Sequence, residues 1–291
     1  MNRAAAMQLS RPEVEYALTD TDMGVAPRDI SALSKIVNNT AFRRAVVLVV
    51  IALGWEATAW WMNNPLLFPS LSDTFRALID STLDGTLPSR VRLSFETLLI
   101  SYTCGVLVAA ALTIFAVSTR VGVDVLSTLT AIFNPLPSVA LVPLAMLWFG
   151  VGLTSMTFVV VNSVVWVMSL STLGGFLTVS ETLRMVGQNY GLKGMRYVWH
   201  VLIPAAFPSI LTGMKLGWAY SWRALVGAEL VFGATNRGGG IGWFVFENRM
   251  SLETPRVFAG LLVVIIIGVV VESLIFRTIE NRTVRRWGMQ R

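Results

Sequence analysis

The chain has 291 residues, of which 54% are hydrophobic and 14% are charged. Its mean hydropathy of +0.65 excludes an ordinary soluble domain, and several windows exceed the ~18 weakly charged residues that indicate a bilayer-spanning helix. The net charge of +6 is better explained by basic residues in alternate loops than by nucleic-acid binding. One cysteine, Cys104, and one histidine, His200, argue against an intramolecular disulfide and a metal site.

Hydropathy predicts an all-α polytopic membrane protein with about six transmembrane helices. The predicted spans are 41–62, 93–117, 123–152, 153–179, 205–232 and 257–279. An external segment, 63–93, contains a predicted surface helix over 72–83, and a second external segment, 233–255, is predicted to be a glycine-rich loop.

The distribution of arginine and lysine predicts that both termini are cytoplasmic. We expect a cytoplasmic N-terminal tail over 1–40, a transmembrane domain over 41–285 and a cytoplasmic C-terminal tail over 286–291. The N-terminus lacks the pattern of a removable signal peptide, so we expect none.

Prolines interrupt the third predicted span. Asn134, Pro135 and Pro137 lie together, with Pro143 further on, and proline removes backbone hydrogen bonds, so the helix is expected to kink or break here. A break at membrane depth is tolerated only against protein or a water-lined path. The break therefore indicates either exposed backbone in a solute path or a purely structural kink.

The longest polar and basic interruption of the C-terminal half runs over 181–208. Gly191 is placed where a left-handed residue would end a helix, and 193–203 can then form a second short helix. Pro204 suits the first turn of a further helix, because its missing N–H is not needed there. The alternative is an ordinary amphipathic loop helix at the membrane surface.

Two charged residues lie inside the fifth predicted span. Arg223 and Glu229 are six residues apart, about 240° around a helix, so they need separate partners. A charge at this depth normally faces protein or a wet cavity. For Arg223 we consider attraction of an anion or a structural ion pair with an acidic residue such as Glu56, Glu96 or Glu272.

Several ordered motifs resemble one family. The spacing of Gly191, Val201, Ile203 and Pro204 resembles the cytoplasmic EAA loop of binding-protein-dependent ABC importer permeases, although Met-Val-Gly stands at 185–187 in place of Glu-Ala-Ala. Further likeness lies in the stretches 134–152, 202–213, 222–229 and 238–242. The likeness covers roughly 45–285 and is strongest to the nitrate/sulfonate/taurine/bicarbonate branch.

The resemblance implies a type I ABC importer permease with a cytoplasmic coupling helix in the bacterial inner membrane. Its partners would be a second permease, identical or not, two cytoplasmic ABC ATPase subunits, an external solute-binding protein and membrane lipid. No phosphate-binding Gly-x-x-x-x-Gly-Lys-Ser/Thr motif occurs, so we expect no enzyme activity and no cofactor bound by this chain. ATP and Mg would be used by the partner ATPase subunits.

The resemblance also assigns residues. The ATPase-coupling set lies in the loop over 181–204 and comprises Gly187, Tyr190, Gly191, Leu192, Lys193, Gly194, Arg196 and Pro204. Its glycines would allow close approach, and its basic side chains would pair with an acidic rim. The translocation-path candidates are Asn134, Pro135, Pro137, Arg223 and Glu229.

The predicted function is import of a small anionic solute, with nitrate, bicarbonate, taurine, a sulfonate and an aromatic acid all open. Two other classes of protein are alternatives to an importer. A secondary transporter or channel of helical-bundle type is the main alternative, but one proline break without a second copy disfavours repeated halves. An intramembrane enzyme would need a catalytic constellation that the spans lack.

Overall fold

The computed structural model describes residues 39–233 and 238–284, and its regular elements there are helices. Contacts divide the chain into two compact units, 1–53 and 54–291. The helices are α1 Thr40–Met62, α2 Leu71–Leu83, α3 Thr86–Ala116, α4 Arg120–Phe133, α5 Val142–Phe149, α6 Leu153–Leu177, α7 Glu181–Asn189, α8 Gly194–Phe232, α9 Ile241–Met250 and α10 Thr254–Arg282. The predicted all-α class is confirmed. The predicted tails lie almost wholly outside the described residues.

Among the described residues, five helices are long and apolar enough to cross a membrane: α1, α3, α6, α8 and α10. The count reaches six if α4 and α5 form one broken span, with their axes bent by 87°. The chain between them contains a 3₁₀ turn over Ser138–Leu141. This agrees with the predicted count and confirms the predicted break near Asn134. The part of the first unit that the structure describes is the beginning of α1, which has no buried residue.

Helix α6 is the centre of the second unit and packs against α3 and α8. The contact with α8 is close, because a Cβ on Gly213 would lie 2.9 Å from Ser171 Cβ. Small residues let membrane helices approach in this way, and polar side chains then bond across the interface. The Tyr102 hydroxyl of α3 donates to the Met214 carbonyl of α8 over 2.9 Å.

An aromatic cluster joins α1 to α10 and to the segment between α1 and α2. Trp55 lies 5.4 Å from both Phe68 and Phe258, measured between ring centroids. The indole N–H of Trp55 donates to the Pro69 carbonyl over 3.0 Å. Helix α2 follows directly, and its bounds confirm the predicted surface helix; the Ser70 hydroxyl caps it by accepting from the Asp73 N–H.

Helix α3 begins at Thr86, seven residues before the predicted start of the second span, so the end of the predicted external segment is helical. Pro88 does not prevent helix formation, because it lies in the first helical turn, where no N–H is needed. The Asp84 carboxylate accepts from the Thr86 N–H over 2.8 Å and satisfies one of the first free amides. This bond lowers the pKa of Asp84.

Two further predictions need correction. The segment 233–255 is not simply a glycine-rich loop, because α9 occupies Ile241–Met250 and buries Phe244; residues 234–237 lie outside the described part. The second short helix predicted over 193–203 is not separate from the fifth span. It continues through a π-helical turn, Val198–Leu202, into one helix that ends at Phe232.

Candidate functional site

The connection between α6 and α8 is held to the bundle by its own polar groups. The Ser180 hydroxyl caps α7 by accepting from the Leu183 N–H over 3.4 Å. The Arg184 guanidinium donates to the carbonyl of Phe176 over 2.7 Å and to that of Val179 over 3.2 Å. Because these carbonyls end α6, Arg184 fixes α7 to the end of the central helix.

Gly191 ends α7 in the left-handed conformation, with φ +70°. Its N–H donates to the Gln188 carbonyl over 2.9 Å, and the Leu192 N–H donates to the Gly187 carbonyl over 3.1 Å. This pair of bonds is a Schellman motif, in which glycine has no Cβ penalty. The predicted helix stop is confirmed, and Gly187 is buried where a Cβ would lie 2.9 Å from Val201 Cγ2.

The outer side of this connection carries large exposed side chains. Tyr190 is 82% exposed, and Trp199 and Met195 are 59% and 56% exposed. Lys193 and Arg196 are exposed beside them, and an added Cβ on Gly191 would meet no heavy atom within 4 Å. We call this surface, 185–199, the loop surface.

The predicted coupling residues lie together around this surface. A groove of about 360 Å³ is lined by Leu183, Val186, Gly187, Tyr190, Leu192, His200, Val201, Pro204 and Ala205. Four of the predicted residues are therefore in its wall, while Gly191, Lys193, Gly194 and Arg196 are exposed around it. The His200 ring bonds to the Arg196 carbonyl over 2.9 Å.

The proline break and the middle of α8 enclose a second cavity, of about 430 Å³. It is lined by Phe133, Asn134, Pro135, Leu136, Pro137, Ser138, Val139, Asn162, Ser163, Trp166, Tyr220, Arg223 and Ala224. We call it the Arg223 recess. It brings together four of the five predicted path residues. They come from two parts of the chain, 134–137 and 223, which are separated by 86 positions.

Arg223 is the one charged side chain among the described residues that line the recess. Its Nε donates to the Ala219 carbonyl over 3.1 Å, and its guanidinium carbon lies 5.0 Å from the centre of the Tyr220 ring. None of the acidic residues considered from the sequence forms an ion pair with it in the described ranges. Glu56 accepts from the Leu71 N–H, and Glu96 pairs with Arg92.

The recess is also lined by an aromatic and amide group. The Trp166 and Phe133 rings are stacked, with centroids 4.9 Å apart and an interplanar angle of 14°. The Trp166 indole N–H donates to Asn162 Oδ1 over 2.9 Å. Sequence reasoning missed Asn162, Trp166 and Tyr220. Their helical spacing to each other and to Arg223 was a usable signal once the facing helices were known.

Glu229 does not lie in this recess. Its side chain is 2% exposed, and its carboxylate oxygens lie 2.7 and 2.9 Å from the Ser94 hydroxyl. The Gly242 N–H donates to the same carboxylate over 2.8 Å, and the Ile241 N–H donates to Ser94 Oγ over 2.8 Å. Glu229 and Ser94 therefore cap α9, whose first amides have no partner within the helix.

The long apolar helices and the broken span are those of a polytopic membrane protein. A sequence profile described as "binding-protein-dependent transport system inner membrane component" matches residues 101–284. The chain belongs to this family, so it is the membrane component of a transport system. This confirms the importer-permease resemblance.

Similarity to individual relatives indicates the branch of the family to which the chain is related. The chain is 28% identical to the taurine transport system permease protein of Escherichia coli over 82% of this chain and 89% of that one. It is 26% identical to the nitrate import permease protein of Synechocystis, over 89% and 95%. It is 25% identical to a putative aliphatic sulfonates transport permease protein of Escherichia coli, over 76% and 82%. These relatives are ABC permeases of the predicted nitrate/sulfonate/taurine branch.

Proposed function

We propose that this chain is the permease subunit of an ATP-driven importer and forms the translocation path for a small anionic solute. The loop surface would receive a partner ATPase subunit, and the Arg223 recess would line the path. The loop surface is the observation that carries the proposal. It combines large exposed apolar side chains with a rigid glycine turn, next to which nothing in the described chain is packed.

The chemistry of the loop surface suits a protein partner. Tyr190, Met195 and Trp199 offer the aromatic and methionine contacts that are enriched in protein interfaces. Lys193 and Arg196 supply positive charge for an acidic rim. Since α7 is fixed to α6 through Arg184 and α8 continues from the same connection, movement of a bound partner would reach both helices of the core.

The Arg223 recess supports the preference for an anion. It contains one cation and no carboxylate among its described lining residues, and a guanidinium without a carboxylate partner attracts an anion. Glu272 lines a neighbouring cavity together with Arg223 and Lys215, but it forms no ion pair with Arg223 in the described ranges. In this proposal Asn134, Pro135 and Pro137 shape the path, while Glu229 holds α9 in place.

The remaining assignments follow from the family. The loop surface and both termini would be cytoplasmic in a bacterial inner membrane, and an external binding protein would deliver the solute to the opposite face. The second permease would be another copy of this chain or a related one. ATP and Mg would be bound by the ATPase subunits, since this sequence has no phosphate-binding loop.

The test uses the chain co-expressed with candidate ABC ATPase subunits from the same genome, purified through a tag on the permease. Gly191→Trp places a large side chain on the loop surface, and we expect it to lose the ATPase or its stimulated hydrolysis. Gly85→Trp is the matched control, because Gly85 is also left-handed, with φ +77°, and also lacks neighbours within 4 Å of an added Cβ.

Both variants carry the same backbone penalty of about 1–2 kcal/mol for a left-handed residue, so both should insert with similar reduced stability. Only Gly191→Trp should lose the ATPase. Retention of the ATPase and normal solute uptake by Gly191→Trp would refute the coupling role. Failure of the unmodified chain to retain any ATPase would favour a secondary transporter or channel.

A further inference from the structure

The lining of the Arg223 recess combines two kinds of chemistry, and the combination bears on the solute. The Arg223 guanidinium, which lies over the Tyr220 ring, supplies the charge. The stacked Trp166 and Phe133 rings line the same recess. A positive charge and a flat apolar surface in one recess match a molecule with an anionic head and a planar body.

Asn162 adds a directed donor to this arrangement. Because its Oδ1 accepts from the Trp166 indole, the Nδ2 amino group is turned away from that ring. The described structure gives this amino group no acceptor, and Asn162 lines the recess together with Arg223. An amide N–H₂ and a guanidinium are both donors, so the polar part of the recess is built for oxygen atoms that carry negative charge.

The volume of the recess also favours an organic anion. Its volume of about 430 Å³ falls within the range of roughly 300–1,000 Å³ that is typical of sites for organic molecules. An inorganic anion of four atoms could bond to the guanidinium and the amide but would cover little of the Trp166 and Phe133 rings. A ring-bearing anion would contact the polar groups and the rings together.

We infer that the Arg223 recess selects organic anions with an aromatic or similarly flat body, such as arenesulfonates and arenecarboxylates, over inorganic anions. The sulfonate or carboxylate would bond to Arg223 and Asn162, and the ring would lie against Trp166. This inference rests on the proposed function, since it names the solute class of the proposed path.

The experiment is calorimetric titration of the full chain, reconstituted in lipid nanodiscs with its co-purified ATPase, using four probes. Benzenesulfonate has both features, methanesulfonate has the head without the ring, benzamide has the ring without the charge, and nitrate is the inorganic anion. We expect benzenesulfonate to bind at least about tenfold more tightly than each of the others, since ring stacking and charge pairing each contribute on this scale.

Two variants assign the effect to the charge and to the rings. Arg223→Gln should weaken benzenesulfonate by about tenfold and leave benzamide unchanged, and Trp166→Leu should remove the advantage of benzenesulfonate over methanesulfonate. Their controls are Arg76→Gln and Trp60→Ala, which change exposed residues outside the recess and should alter nothing. Arg223 is exposed, so its substitution tests the recess even if Trp166→Leu impairs folding.

Equal affinity for methanesulfonate or nitrate would overturn the inference, as would the absence of benzenesulfonate binding or its insensitivity to Arg223→Gln. These results would leave the importer role intact if the ATPase stays bound. Loss of the ATPase from the unmodified chain, with the ranking of the four probes preserved, would instead overturn the importer role alone.

Discussion

Replacing Glu229 by alanine tests the most deeply buried charged group of the described chain. The substitution removes the acceptor for two buried donors, the Ser94 hydroxyl and the Gly242 N–H. Each unsatisfied buried donor costs about 1–3 kcal/mol, so we expect Glu229→Ala to lower the free energy of unfolding by roughly 2–6 kcal/mol. At about 2–4 °C per kcal/mol, the midpoint of thermal unfolding falls by roughly 4–24 °C.

Glu96→Ala is the matched control for this prediction. Glu96 is on α3 and forms an i,i+4 pair with Arg92, and both side chains are largely exposed. Such a pair contributes about 0.3–0.5 kcal/mol, so its loss should shift the midpoint by no more than about 2 °C. Both variants are compared with the unmodified protein in the same detergent, with unfolding followed by tryptophan fluorescence.

Hydrogen exchange locates the effect. Because Glu229 and Ser94 bind the first amides of α9, the peptide covering 241–250 should exchange faster in Glu229→Ala than in Glu96→Ala. Equal midpoints for the two variants, or unchanged exchange of this peptide, would refute the capping role of Glu229. Glu229→Gln keeps one acceptor oxygen and should lie between Glu229→Ala and the unmodified protein.

Two further predictions use neighbouring or exposed groups. Gly175→Ala should destabilise the bundle by about 1–3 kcal/mol in thermal unfolding, since its Cβ would lie 2.5 Å from Ser209 Cβ. Gly174→Ala is its control. An added Cβ there meets no atom within 4 Å, so this substitution should be neutral or stabilising. The pKa of Asp84 is lowered by its bond to the Thr86 N–H. Asp84 therefore stabilises the folded chain at pH values above its unfolded pKa of 3.8. This stabilisation is lost as the pH falls through the pKa of Asp84 in the folded chain. Asp84→Asn should flatten this acid-side change in proteolysis rates, and an unchanged acid profile would contradict it.

The sequence correctly predicted the structural features that have a single local cause. Hydropathy over long windows located the spans, and the prolines near Asn134 predicted the break at which α4 and α5 meet. Gly191 predicted the end of α7, because a Schellman motif needs a left-handed residue at one position. These features depend on the chain within a few residues.

Tertiary contacts explain what the sequence did not predict. Glycines before Ile241 indicated a loop, but α9 gains its caps from Glu229 and Ser94, which lie on two other helices. The residues that share the recess with Arg223 were likewise hidden, because Asn162 and Trp166 come from another helix, α6. The candidate path residues were predicted singly, while their grouping required the fold.

The length of α8 has a mechanical consequence. From Gly194 to Arg223 the helix covers about 44 Å, at ~1.5 Å per residue. In the proposed coupling, a push at its first turn would reach the guanidinium as a tilt or rotation of the helix. The π-helical turn at Val198–Leu202 and Pro208 weaken the backbone hydrogen bonding in this stretch, so the helix would bend there first.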